Sequence, residues 1–525
     1  MMMSPMRRLL SRLAHLCVSG CVAAPLLSAW GAEPITLPSG KEVEGLGAGW
    51  PARQAKAFLD AAPIPAELLQ NLDMATAVRL ANQRNPVVRQ NFDDLLVTQN
   101  SLGAAYATWW PVINVDLNGG LYGETAYYNY QGAVSGVGNP YGGTATAFNG
   151  SYFQSLSQFD VTWNLFDPAR TPAIWKNKYL VRQAVDSYVI ARRDNRLRTQ
   201  QAFIELQRAM ARIETSRELV SNDKRLLGLA QARVALGVSS KLEIAKQTTV
   251  LKTDEVNLAN SVIDSEVAQA DLAELLSESR ASILRPSNQL VPLGSWTSGL
   301  DETIQAAMQY RKVIEQQLMN VEINQAQAQI DLSVYRPTVA LVNSLYWTKG
   351  VGYTAVGPPW VADAQSDLWN GSSLLQLTFR GFDGGQARMT AQASMKRAKA
   401  AEAATLQAVN QVRRDVQAYY AQVVQGREAV LLASQRTNAA SSALRLQSVR
   451  FSAGYGTITD VVQAQQDLTQ AVADYIAQLA DYNVSLVSLA RSSGMTYEPD
   501  PQLEKQLGNP LSRLRLPSLT RPVVN

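Results

Sequence analysis

Histidine and cysteine are nearly missing from this chain of 525 residues. Its one histidine and two cysteines all lie within the first 21 residues, at His15, Cys17 and Cys21. If that segment is removed on export, the mature chain keeps neither thiol nor imidazole. This excludes cysteine nucleophiles, histidine bases and the usual zinc ligands, so we expect no enzyme activity, no metal and no cofactor.

The first residues have the pattern of a secretory signal peptide. Three arginines (Arg7, Arg8, Arg12) precede an apolar core at 16–27, and Ala29-Trp30-Gly31 resembles a small-x-small cleavage site. We therefore predict a signal peptide over residues 1–31. Val18-Ser19-Gly20-Cys21 resembles a lipoprotein cleavage box and leaves lipidation of Cys21 as an alternative, although the apolar run continues beyond Cys21.

The chain also lacks strong charge and long apolar runs. Its formal net charge is only +4, which argues against a nucleic-acid partner. No later stretch has the ~20 unbroken apolar residues of a spanning helix, so a membrane crossing would need a barrel. Gly384-Gly385 is not followed by the Lys-Ser/Thr of a phosphate-binding loop.

Two glycine-containing tips interrupt long helical patterns. In the second, Arg450 precedes Gly454 by four residues and Asp460 follows it by six; Arg233, Gly237 and Glu243 repeat this spacing 217 residues earlier. Glycine readily takes the positive φ that ends a helix, and Thr457 or Thr459 can cap the next one. Each tip is therefore predicted to join two antiparallel helices.

Further matching pairs show an internal duplication. Phe166-Asp167 and Phe382-Asp383 lie 216 residues apart, and Trp110-Pro111 has its counterpart in Arg336-Pro337. These Phe-Asp pairs predict strand-to-helix turns rather than ligand sites. The predicted domains are an N-terminal extended segment (32–70), a first repeat (71–285, β-hairpin 111–166, tip near 237), a second repeat (286–494, β-hairpin 338–380, tip near 454) and a C-terminal tail without clear structure (495–525).

Each half carries a pair of strand-like segments. Apolar and polar residues alternate over 113–118, 158–165 and 373–380 and, less cleanly, over 339–347, which predicts strands with one apolar and one polar face. A soluble amphipathic hairpin and a ribbon between lipid and a wet lumen both fit this pattern. The segment 123–157 is predicted to be an exposed loop, and Trp109, Trp110 and Trp175 fit an interfacial aromatic belt.

The helical patterns are unusually long. A helix is predicted from Thr171 to about Ala235, a return helix over about 240–284, and a further helix over 300–335. Apolar residues at heptad spacing include Phe203, Leu206 and Ile213, with many polar residues between them. A one-layer helical wall and a solid coiled coil are the two arrangements this allows.

The duplicated tips and the Phe382-Asp383-Gly384-Gly385 motif resemble the TolC-type outer-membrane factors over about 71–494. The resemblance implies an α+β membrane protein in which four strands per chain contribute to a trimeric, twelve-stranded outer-membrane barrel, with helical hairpins forming a periplasmic α-barrel. From the residues alone, a barrel shared by two or four chains is also allowed. It further implies a homotrimer that contacts outer-membrane lipid, a periplasmic adaptor protein and an inner-membrane pump of RND or ABC type, as the exit duct of tripartite efflux or type I secretion.

The resemblance also assigns the periplasmic tip, with its gate, to Arg233, Gly237, Glu243, Arg450, Phe451, Gly454 and Asp460. Glu243 and Asp460 match acidic gate positions, but capping of a helix N-terminus alone would also explain them. The chain has Phe451, Gly456 and Gln463 where well-known members have Tyr, Arg and a second Asp, which puts their salt-bridge lock in doubt. The alternatives are a soluble periplasmic coiled-coil adaptor or structural protein, and a carboxylate hydrolase.

Overall fold

The computed structural model describes residues 64–128, 148–237, 239–354, 361–507 and 511. The predicted signal peptide, Cys21 and the segment 32–63 lie outside these residues. Within the described part, none of the helices is both long enough and apolar enough to cross a membrane.

The described part of the first half contains five α-helices and two strands, in the order helix, hairpin, helical hairpin. They are α1 Ala66–Gln70, α2 Met74–Arg84, α3 Pro86–Ala107, β1 Val112–Tyr128, β2 Phe148–Phe166, α4 Arg170–Ala235 and α5 Lys241–Leu276. Asp73 caps α2, and Asn85 caps α3 with Pro86 at its first position. With 66 residues, α4 is about 100 Å long.

The second half repeats this order. Its elements are α6 Leu300–Tyr310, α7 Lys312–Ser333, β3 Thr338–Thr354, β4 Val361–Thr378, α8 Gln386–Ser452, α9 Ile458–Ser493 and α10 Pro501–Leu507. Gly494 (φ 76°) ends α9 in a left-handed conformation. The described residues therefore contain the predicted duplication of a ribbon followed by a helical hairpin.

The four strands form one antiparallel sheet in the order β1-β2-β3-β4. Ile113 faces Val161, Trp163 faces Leu341, and Leu341 faces Leu375, so the predicted apolar residues share one face. Asn343 and Ser373 interrupt that face and are hydrogen-bonded to each other. β1 and β4 are the two edges of the sheet.

The hydrophobic core lies along the helical hairpins and is densest around α9. It brings together α8 residues such as Val416 and Val423 with α9 residues such as Leu479 and Leu486, and includes Ile204 and Leu226 of α4. The heptad residues Phe203, Leu206 and Ile213 are buried as their spacing predicts. A narrow apolar seam thus holds otherwise polar helices together.

Several predicted boundaries were wrong. Residues 66–70, assigned to an extended segment, form α1. Strand pairing extends to Tyr128 and resumes at Phe148, so both ends of the predicted loop 123–157 belong to the hairpin. In the tail, Pro501–Leu507 is helical because Leu503 and Leu507 are buried against the core.

The return helix α5 ends at Leu276, eight residues before the predicted end. Ser277 has φ 50°, and the amide of Glu278 donates to the carbonyl of Ala273 at 2.9 Å. This is the left-handed termination that glycine usually provides. A serine in that role carries no sequence signal, so the pattern alone could not place the end.

The helix predicted over 300–335 is broken at Arg311. In the first half Pro86 marks the equivalent break, but the second half has no proline there. The Arg193 side chain stacks on the Tyr310 ring at 3.7 Å and donates to the Tyr310 carbonyl at 2.9 Å. Contacts from α4 therefore hold a break that the local sequence does not indicate.

Candidate functional site: the helical hairpin tips

Both hairpin tips turn on a glycine. Gly237 has φ 72° and Gly454 has φ 85°. No heavy atom lies within 4 Å of a Cβ built at either position. The backbone conformation, rather than lack of space, therefore requires glycine at each tip, as the spacing predicts.

At the second tip, Thr457 and Asp460 form a capping box at the start of α9. The Asp460 amide donates to the Thr457 hydroxyl at 3.3 Å, and the Thr457 amide donates to the Asp460 carboxylate at 3.2 Å. Hydrogen bonds from the Thr457 hydroxyl and amide, followed by the charge of Arg450, lower the pKa of Asp460 below its usual value. Asp460 therefore stabilises the N-terminus of α9, independently of any role in a gate.

Glu243 occupies the equivalent position in α5 but is held differently. Its amide donates to the Ser240 carbonyl at 3.1 Å, while Ser240 makes no side-chain cap. Its Oε2 atom is buried and has no hydrogen-bond partner among the described residues. Glu243 thus keeps acceptor capacity that the described residues of a single chain do not use.

A cation–π contact joins the two tips. The Arg233 guanidinium lies 4.4 Å from the centre of the fully buried Phe451 ring and donates to the Phe451 carbonyl at 2.5 Å. Lys246 adds a second link by donating to the Thr459 hydroxyl at 2.9 Å. The two hairpins of one chain are therefore joined at their tips by cations that contact the Phe451 ring and the Thr459 hydroxyl, and not by an ion pair with a carboxylate of the described residues.

Arg450, the counterpart of Arg233, behaves differently. Its side chain is exposed, and its carbonyl accepts the Tyr455 amide at 2.9 Å within the turn. The structure therefore brings Arg233 and Phe451 into contact and places Arg450 near Asp460, while Gly237 and Gly454 shape the backbone of their own turns.

Two of the three positions that depart from the TolC-type pattern, Gly456 and Gln463, have a local explanation. A Cβ at Gly456 would lie 3.1 Å from the Phe451 amide nitrogen, so the turn is tight there. Gln463 donates to Asp467 on its own helix at 3.0 Å. Because Phe451, Gly456 and Gln463 carry no charge, these three positions cannot form a salt-bridge lock between tips.

Sequence reasoning missed a buried polar cluster above the tips. Asp223 of α4 and Asp254 of α5 are 2% and 6% exposed, and the Gln465 amide of α9 donates to Asp223. Burial, and then the charge of Asp254, raises the pKa of Asp223 to about 8. Both acids lie on long helical patterns among many exposed carboxylates, so nothing in the sequence distinguishes them.

The two Phe-Asp pairs are turns, as predicted. The Ala169 amide donates to Asp167 at 2.9 Å. Asp383 accepts the Tyr335 hydroxyl at 2.7 Å and the Ala387 amide at 2.9 Å, and these hydrogen bonds hold its pKa below the usual value. Both carboxylates are used in starting the helix that follows the sheet. The described residues contain no cluster of three or more potential metal ligands.

The sheet presents two chemically different faces. Ile113, Val115 and Leu375 on the apolar face are 58–67% exposed in the single chain. The opposite face carries Asn114 opposite Asp160, and Asp116 opposite Gln158. An apolar surface this exposed requires an apolar surrounding or a partner.

The family model for outer membrane efflux proteins matches residues 77–278 and 303–495, which cover both halves. The chain belongs to this family. It is thus a channel-type protein of the outer membrane with a helical extension into the periplasm, and the predicted resemblance to TolC-type proteins is confirmed. No curated protein matches the chain.

Solved structures of outer-membrane channels share the fold of this efflux protein. The outer membrane protein VceC of Vibrio cholerae is 18% identical, with 83% of this chain and 100% of that chain covered at a TM-score of 0.63. The CmeC channel of Campylobacter jejuni is 15% identical (86% and 92% covered, TM-score 0.63). The open-state MtrE channel of Neisseria gonorrhoeae is 16% identical (81% and 90% covered, TM-score 0.62).

Proposed function

We propose that this protein is the outer-membrane exit duct of a tripartite efflux or type I secretion system. Three copies would pool their four-stranded sheets into one twelve-stranded barrel and their helical hairpins into a periplasmic tube. The observation that carries the proposal is the sheet, whose apolar face is exposed and whose two edges, β1 and β4, have no partner strand among the described residues of one chain. Unpaired edges are costly in lipid, so the edges of neighbouring copies would pair.

Two groups of tryptophans support the membrane placement. Trp109 and Trp175 lie just beyond the inner ends of the strands, and Trp347 stacks on Trp369 farther along β3 and β4 with ring centres 5.5 Å apart. The ten residues from 338 to 347 span about 30 Å along the strand, or about 23 Å across a membrane at a ~40° tilt. That is close to the ~25 Å apolar band between the aromatic girdles of outer-membrane barrels.

The proposal assigns no reaction to the chain. Transport through a wet lumen depends on shape and electrostatics, and the polar face of the sheet supplies carboxylates and amides such as Asp116, Asp160 and Gln158. Energy would come from an inner-membrane pump of RND or ABC type, reached through a periplasmic adaptor that contacts the hairpin tips around Gly237 and Gly454.

The gate we propose lies at the hairpin tips. Within one chain, Arg233 and Phe451 hold the two hairpins together, and Asp460 is engaged in its capping box. Glu243 has a carboxylate oxygen that the single chain leaves without a hydrogen bond among the described residues. In a closed trimer that oxygen would accept from a neighbouring tip, and adaptor contact would release it.

Single-channel recording tests the gate. The double variant Glu243→Ala/Asp460→Ala is expected to raise conductance in planar bilayers severalfold and to increase leakage of large antibiotics into cells. Removing these acids takes away hydrogen-bond acceptors that would hold neighbouring tips together. It also removes negative charge from the mouth of the tube.

Asp271→Ala provides the matched control. Asp271 is an exposed acid on α5 about 40 Å from Glu243, so its removal changes the charge without touching the tip. Wild-type conductance in the control and raised conductance in the double variant support the gate. Unchanged conductance in the double variant would reject it, leaving the acids as helix caps.

A further inference from the structure

A cluster of aromatic and cationic side chains lies at the junction where β2 ends and α4 begins. It consists of Tyr106 at the end of α3, Trp109 in the turn that follows, and Arg170, Trp175 and Lys178 on α4; we refer to these five as the Lys178 cluster. Its three aromatic rings are 43–50% exposed. The cluster is thus a surface rather than part of the core.

The Lys178 cluster continues the apolar face of the sheet. The Trp163 indole, which shares a face with Leu341, donates to the Trp109 carbonyl at 3.0 Å. Trp109 therefore lies directly below the face that, in an outer-membrane protein, contacts lipid. The helices that follow extend into the periplasm, so this end of the sheet adjoins the periplasmic leaflet.

Both cations of the cluster lie against rings rather than acids. The Arg170 guanidinium is 4.3 Å from the Trp109 ring centre, and the Lys178 ammonium is 4.3 Å from the Trp175 ring and 5.9 Å from the Tyr106 ring. No carboxylate of the described residues forms an ion pair with either cation. The charge of the cluster is therefore available to an anion.

Helix geometry directs Lys178 toward the membrane. Arg170, Ile174 and Lys178 lie on one face of α4, and Lys178 is eight residues, or about 12 Å, below Arg170. Side chains on a helix tilt toward its N-terminus, which here is the membrane end. A flexible lysine in this position reaches back to the level of the headgroups.

The second half of the chain has no equivalent cluster at its own junction. Shifted by 216 residues, Arg170, Trp175 and Lys178 correspond to Gln386, Ala391 and Ser394. Ala391 and Ser394 are buried, and Ser394 donates to Asp331 at 2.8 Å. The duplicated fold therefore does not itself require aromatic and cationic side chains at the junction between strand and helix.

We propose that the Lys178 cluster binds the headgroup phosphate of an anionic glycerophospholipid in the periplasmic leaflet of the outer membrane. Lys178 contacts the phosphate, and the exposed rings of Tyr106, Trp109 and Trp175 pack against the glycerol and the first acyl carbons. Arg170, buried beneath Trp109, adds positive potential from behind. One lipid would sit at the first-half junction of each protomer, seated by both charge and aromatic contact.

Native mass spectrometry of the detergent-extracted assembly tests this site. Phosphatidylglycerol is expected to bind more tightly than phosphatidylcholine with the same acyl chains. Lys178→Gln is expected to weaken phosphatidylglycerol binding about fivefold, which corresponds to the ~1 kcal/mol contributed by a cation near an anionic surface. Lys178→Arg keeps the charge and is expected to retain the binding.

Lys396→Gln is the matched control, because Lys396 is an exposed lysine at a similar depth on α8 with no described ring over it. Phosphatidylglycerol binding should survive this change. The proposal fails if Lys178→Gln binds like wild type, if Lys396→Gln weakens binding equally, or if both lipids bind alike. Displacement of the lipid by millimolar glycerol phosphate would also overturn it, by showing a small-anion site.

Discussion

Asp223 and Asp254 form a carboxylate pair that is unusual among the described residues because both are almost fully buried. Asp254 faces Asp223 from α5, and Gln465 faces it from α9. Burial and the nearby charge of Asp254 raise the pKa of Asp223, so at neutral pH the pair holds a proton. The proton lets two acids share a buried site where the two hairpins meet.

The helical region should therefore lose stability as pH rises. The pKa of Asp223 is higher in the folded chain, about 8, than its unfolded value near 4. The stabilisation is present below pH ~4 and is lost as pH rises toward 8. Between pH 6 and pH 8 we expect a loss on the order of 2 kcal/mol, measured as a falling thermal midpoint of the circular dichroism signal at 222 nm.

Asp223→Asn should remove most of this pH dependence, because asparagine mimics the protonated acid. Asp271→Asn is the control, since Asp271 is exposed on the same helix as Asp254 and its replacement should leave the wild-type slope. Equal slopes in wild type and Asp223→Asn would show that Asp223 is ionised in the folded chain.

At the scale of elements, the break between α6 and α7, which contacts from α4 hold, is also closely approached by the end of α9. Gly494 ends α9 with φ 76°, and a Cβ there would lie 2.2 Å from the Cγ atom of Tyr310. Tyr310 is the last residue of α6, and Arg193 of α4 stacks on its ring. Three helices therefore meet at a point where only glycine fits.

Gly494→Ala should destabilise this junction far more than a change at an open turn. Alanine would have to adopt a left-handed conformation, at about 1 kcal/mol, and displace the Tyr310 ring, at roughly 1–3 kcal/mol more. Gly237→Ala has the same conformational cost without the clash, because nothing lies within 4 Å of its Cβ position. Similar thermal midpoints for the two variants would contradict this packing.

The elements also show what sequence patterns can predict. The tips, the strand alternation and the long helices follow from glycine spacing and from hydrophobic periods of 2 and 3.6. The end of α5 at Ser277 does not, because a serine there takes the left-handed conformation that glycine usually provides. The break at Arg311 and helix α10 do not either, because tertiary contacts fix them. The same holds for the candidate site: the Gly237 and Gly454 turns were predictable, whereas the Arg233–Phe451 contact depends on two residues 218 positions apart.

At the scale of the whole molecule, a single chain leaves surfaces exposed that require lipid or another copy of the chain to cover them. Its sheet exposes an apolar face and two edges, and its helical hairpins have narrow apolar seams with polar surfaces on either side. The internal duplication already provides two ribbons and two hairpins per chain. Closing the sheet then requires further copies, and three copies give the twelve strands expected of this family.

The mass of the protein extracted from outer membranes tests this account most directly. Native mass spectrometry in mild detergent should give a species of three chains, each somewhat below 57.3 kDa if the predicted signal peptide has been removed. The trimer should persist at low protein concentration, because edge pairing and burial of the apolar seams hold the copies together. A stable, water-soluble monomer would contradict it.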